Sequence, residues 1–146
     1  MEKYHMIPLF GIIALVCAGC GGSFPIAPAE GIVICDGKPV AFVQVNFDPK
    51  RTDPNDKSPL VGKGAIGFTD AEGKFVLTTR GTNDGAIIGR HDVIVSATST
   101  TDRNSPATLS RHKAAQEIDV QKGRNVFTID LPVRNPRTPL VIPTDD

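Results

Sequence analysis

Ala41-Phe42-Val43-Gln44-Val45-Asn46-Phe47, residues 41–47, decides the fold class of this chain. Val43, Val45 and Phe47 alternate with Gln44 and Asn46, the period of a strand with one face on a core and the other in water. Similar runs lie on both sides. Phe75 and Leu77 alternate with Lys74 and Thr78, and a strand ending at Phe68-Thr69 precedes them. Asp70-Ala71-Glu72-Gly73 between the two reads as a hairpin loop in which Gly73 supplies a positive φ. Further strands are expected over Gly31–Cys35, Arg90–Thr98, Ala114–Val120 and Asn125–Leu131, although 113–120 also admits an initial helical turn. Turn pairs such as Asp36-Gly37, Asp84-Gly85 and Lys122-Gly123 separate the runs, and no segment carries a helical period of useful length. The expectation is an all-β chain of about seven strands in an antiparallel β-sandwich.

Outside the strands the chain divides by composition. The apolar run Ile7–Val16 is about half the length needed to cross a hydrocarbon core, so residues 1–19 read as an export signal rather than a spanning helix. Cys17-Ala18-Gly19 before Cys20, with Gly21-Gly22-Ser23 after it, resembles the lipobox of bacterial lipoproteins. That resemblance implies cleavage before Cys20, acylation of Cys20 and anchoring to a membrane of the cell envelope. Gly21 in place of Asp points to the outer membrane. The alternative is ordinary cleavage near Ala18 or Gly19, which leaves a free secreted protein. Residues 20–29 read as a tether and 30–131 as the β domain. Residues 132–146, with Pro132, Pro136, Pro139 and Pro143, read as an extended, mobile tail. Two long polar loops, 50–62 and 99–112, are the default contact surfaces.

Charge and cysteine content narrow the function. The chain carries 16 basic and 16 acidic side chains, and loss of Lys3 and Glu2 with the signal keeps the balance. Neutrality and the lack of basic runs with interleaved aromatics argue against nucleic acid as partner. With Cys17 removed and Cys20 acylated, Cys35 stands alone, and a buried, inert thiol is expected.

Catalytic and metal-binding readings find little support. His91 and His112 are the histidines left after the signal, and neither has a second ligand at metal-binding spacing. His91 is expected on the solvent face of its strand. Ser110 with His112 lacks the placed acid and oxyanion site of a triad. Asp70–Gly73 and Asn83–Gly85 are read as turns, because neither fits a calcium loop. A carbohydrate site would use aromatic faces; with no Trp and Tyr4 in the signal, Phe42 and Phe68 are the candidates, and both are expected to pack in the core.

The order Gly31-Ile32-Val33, Asp36-Gly37-Lys38-Pro39-Val40, Val43–Pro49, Phe68-Thr69-Asp70, Gly73-Lys74-Phe75, then Gly89 before His91–Val95, is similar to carboxypeptidase regulatory-like, transthyretin-like domains. It most resembles the small lipoproteins of this type that are abundant in planctomycete bacteria. The resemblance covers about residues 30–131 and implies a prealbumin-type sandwich without catalytic machinery, cofactor or metal. Transthyretin-like hydrolases of small ureides depend on paired histidines and a C-terminal tetrapeptide, which this chain lacks. Two functional expectations follow. One is a membrane-anchored, non-enzymatic module that contacts a protein partner of the cell envelope. The other is a carbohydrate or small-ligand module using loops 50–62 and 99–112.

Overall fold

The computed structural model describes residues 24–51, 62–137 and 139–143. These residues are all-β, without a helix, and form ten strands. In chain order they are β1 Ile26–Ala27, β2 Ala29–Cys35, β3 Lys38–Pro39, β4 Val43–Pro49, β5 Ala65–Phe68, β6 Lys74–Val76, β7 Ala86–Ile87, β8 Gly89–Ala97, β9 Gln116–Val120 and β10 Asn125–Leu131. Three are only two residues long.

Alternation in β4 does what its sequence demands: Val43, Val45 and Phe47 are fully buried, while Gln44 and Asn46 are half-buried on the other face. β4 is central in a four-stranded antiparallel sheet of order β5-β4-β8-β9. A second four-stranded sheet has β2 in the middle, β10 on one side, and β3 and β6 along the other. β1 pairs only with β7. The inward faces of both four-stranded sheets feed one core. Phe47 of the first sheet meets Phe75 and Phe127 of the second, with ring centroids 6.4 and 5.6 Å apart.

Not every pairing is antiparallel. β10 and β2, the last and first long strands, run parallel in register from Asn125↔Ala29 to Leu131↔Cys35. The Asp70–Gly73 turn also differs from a plain hairpin. Gly73 takes its positive φ of 74° and Asp70 closes the turn by accepting from the N–H groups of Glu72 and Lys74. The arms, however, join different sheets, β5 to β4 and β6 to β2. Thr69 explains the divergence: its N–H donates to the Val43 carbonyl and its hydroxyl accepts from the Val43 N–H, both at 2.9 Å, so the first arm stays on β4 to its last residue. Beyond the Asp70 N–H to Lys74 carbonyl bond at the turn, an isolated bridge, Ile66↔Thr78, ties the arms together.

Ala27 and Ala29 lie in the core and β1 is hydrogen-bonded to β7, so residues 24–29 pack with the β domain. At the other end, Val133 bridges Ala107, and the Pro132 carbonyl accepts from the Thr108 N–H at 2.8 Å, so the tail is pinned to the domain through Arg134.

Candidate functional site

Strand parity places apolar side chains on the outside of the molecule. On β2, Val33 and Cys35 turn inward, while Glu30 and Ile32 turn outward. Phe75 and Leu77 are buried, leaving Lys74, Val76 and Thr78 outside. β10 buries Ile129 and Leu131 and shows Val126 and Thr128. β5 adds an inversion of size: Ala65 and Gly67 face inward, and the bulky Ile66 and Phe68 face outward. Because the Ile66↔Thr78 bridge joins β5 to β6, these outward faces form one concave surface across β5, β6, β2 and β10. It is a groove of about 1090 Å³. Its floor and walls include Ile32, Ile66, Phe68, Val76, Val126 and Phe127, and its rim carries Asp70, Lys74, Asn83 and Glu30. Glu30 is held by an ion pair with Arg124. Phe68 and Val126 are 60% and 68% exposed, so the apolar stripe is open to solvent.

The groove ends at an open sheet edge. Among the described residues no strand pairs the outer side of β10. Past Leu131 the Ala107–Val133 bridge covers that side, so the unpaired stretch is the one that carries Val126 and Thr128.

A second, polar groove of about 470 Å³ opens on the outer face of the other sheet. Register puts Phe68, Gln44 and Ser96 in one row across β5, β4 and β8, with Asn46 in the next row. Thr98, Ser99, Arg111 and Pro143 complete its wall.

Phe42 and Phe68 are therefore not core residues. Phe42 sits at φ 56° just before β4 and is 46% exposed, its carbonyl accepting from the hydroxyls of Thr98 and Thr101 at 2.7 and 2.6 Å. Phe68 shares parity with Ile66 and lies between the two grooves.

His91 is also inside rather than on the solvent face. Residues 91, 93 and 95 share one strand face, so His91 is buried with Val93 and Val95 and lies 5.8 Å from the Phe47 ring. Its Nδ1 is 2.9 Å from the Gly89 carbonyl, and among the described residues Nε2 has no hydrogen-bond partner. Burial pushes its pKa below the ordinary value, against the opposing pull of the Gly89 carbonyl and of Asp48 and Asp119. A neutral ring with Nδ1–H donating to the Gly89 carbonyl fits this buried position.

A pH dependence follows. The unfolded chain takes up a proton at the ordinary imidazole pKa of about 6.5, while the folded chain resists it, so stability rises with pH across this window. Full stability at neutral pH should decline as the pH falls below about 6.5. The decline should flatten in His91→Leu, measured as urea midpoints between about pH 5 and 7. A wild-type midpoint that does not change over that range contradicts the assignment.

The remaining candidates occupy turn and core roles. The Ser110 hydroxyl accepts from the N–H groups of His112 and Lys113, and His112 is exposed. Asp84 accepts from the N–H groups of Thr79, Arg80 and Gly81. Burial works to raise its pKa, and these backbone donors outweigh that effect and lower it. Cys35 is buried, and burial, then Asp36 and Asp130, push its thiol pKa up, away from the reactive thiolate. Among the described residues no three His, Cys, Asp or Glu side chains converge as a metal site. Cys20 and residues 52–61 of the first long loop lie outside the described residues. The second loop is tied down, with Thr101 and Ser105 buried, Ala107 in the core, and Thr101 Oγ1 accepting from the Thr98 N–H at 2.7 Å.

Comparison of the chain with protein-family models, with curated proteins and with solved structures finds no match.

Proposed function

We propose that the chain is a lipid-anchored, non-enzymatic β-sandwich of the prealbumin type that binds a protein partner of the cell envelope through the apolar groove beside β10. One observation carries the reading: Ile66, Phe68, Val76 and Val126 are all exposed on one continuous outer surface. A domain that needed no partner would place such side chains singly, and contiguous exposed apolar patches mark interaction sites. The open edge of β10 supports it further, because an incoming strand can pair its backbone while setting alternate side chains against Val126 and Ile32.

Crosslinking and affinity recovery from native envelopes tests it. Wild type should recover a discrete partner, and Val126→Asp should reduce recovery by at least about fivefold, as expected for an interface anchor. Val126 is exposed, so an unchanged melting temperature will show that the variant is folded. Equal recovery by both proteins, or none above background by either, defeats the proposal.

A further inference from the structure

We propose that the polar groove on the outer face of β4 and β8 binds a sugar ring carrying one anionic group. Four features converge there. First, the Phe68 ring is open to solvent at one end of the row, and its apolar face suits the C–H face of a pyranose. Second, Gln44 Nε2 donates to Asn46 Oδ1 at 2.8 Å. That bond leaves one acceptor, Gln44 Oε1, and one donor, Asn46 Nδ2, side by side with no described partner, the pair that a ring hydroxyl satisfies as donor and acceptor.

Third, Ser96 lines the groove, and its hydroxyl can donate to or accept from a bound ring. Fourth, Arg111 is the only ionisable side chain among the described residues that line the groove. The Ser110 N–H donates to the Val95 carbonyl at 2.9 Å and so holds this segment against β8 next to Ser96. A guanidinium suits an oxyanion, which it can grip with two parallel N–H donors. A bare anion would leave Phe68 and the amides unused, and a neutral sugar would leave Arg111 unused.

The volume of about 470 Å³ lies within the range of small-ligand sites. The proposal extends the sequence expectation of a ligand site at loop 99–112 to named contacts. It shares Phe68 with the apolar groove, but Arg111, Gln44 and Ser96 line only the polar one.

Glucuronate, glucose 6-sulfate, glucose and acetate should be titrated into the protein and followed by the side-chain amide NMR signals of Gln44 and Asn46. An acidic sugar should bind in about the millimolar range. It should bind about tenfold or more tightly than glucose or acetate, and Arg111→Ala should remove that advantage while Val126→Asp leaves it intact. The tighter of the two acidic sugars names the anion as carboxylate or sulfate. Acetate binding as well as glucuronate would reduce the site to a simple anion contact and overturn the proposal. So would glucose binding as well as glucuronate, an Arg111→Ala variant with unchanged affinity, or no shift of the Gln44 and Asn46 signals with any probe.

Discussion

Phe47→Ala will cost about 3–5 kcal/mol of unfolding free energy, the range for emptying a buried aromatic site. Phe47 is fully buried, and its ring is shared by Phe75 and Phe127 of the facing sheet and by His91 beside it. Those neighbours come from three different strands, each held in place by its own ladder. They cannot collapse into the space without breaking backbone pairing, so most of the cavity will persist. Total stability for a domain of this size is about 5–15 kcal/mol, and the loss is a large share of it. Urea titration should show the midpoint falling by about 2 M at unchanged slope. A shift below about 0.5 M would mean that the two sheets do not depend on this ring for their contact. The consequence reaches the grooves as well, because the strands that carry Val126 and Phe68 on their outer faces are set by the core beneath them.

How much of this was legible in the chain depends on whether the deciding contact is local. The alternation of residues 43–47 and 125–131 reads directly as strands, because side-chain direction on a strand follows parity alone. The Asp70–Gly73 turn is equally legible, since a carboxylate accepting from two N–H groups and a glycine at positive φ are local requirements. The destination of its arms is not. The same four residues would close a hairpin or a corner between sheets, and the difference rests on Thr69 meeting Val43, a contact 26 residues away in sequence. The parallel pairing of β2 with β10 is more distant still, and no local signal marks it.

His91 shows a different limit. Parity places it with Val93 and Val95, but the polarity of imidazole suggests water; a neutral ring with one carbonyl partner reconciles the two. The apolar groove left one readable trace. In Ala65-Ile66-Gly67-Phe68 every residue is apolar, and the small ones alternate with the large. A core face composed of Ala65 and Gly67 is thin, which fits a close approach of the sheets: a Cβ on Gly67 would lie 2.9 Å from the Val76 carbonyl oxygen. The bulk of Ile66 and Phe68 is then sent outward, onto the proposed binding surfaces.

Cys20→Ala should produce the largest change of all, complete transfer of the protein from the membrane fraction to the soluble one. Wild type extracted in detergent should have an intact mass that begins at Cys20 and includes acyl chains, and the variant should lack that species. More than one acyl chain makes anchoring stable, whereas a single chain binds only marginally and reversibly. The start of the fold gives this anchor a geometric meaning. Because Ile88 donates to the Pro25 carbonyl and β1 is paired to β7, at most four residues of chain would separate an acylated Cys20 from Phe24, the first described residue. At about 3.5 Å per residue that link reaches about 14 Å, so the domain would be held close to the headgroups. A partner of the apolar groove would then be another membrane-proximal protein rather than one deep in the periplasm. An unmodified wild-type chain, cut near residue 19 and recovered in the soluble fraction, would contradict the anchor. It would also shift the weight of interpretation to the polar groove, since a freely diffusing domain has more use for a small soluble ligand than for a neighbour on the same membrane.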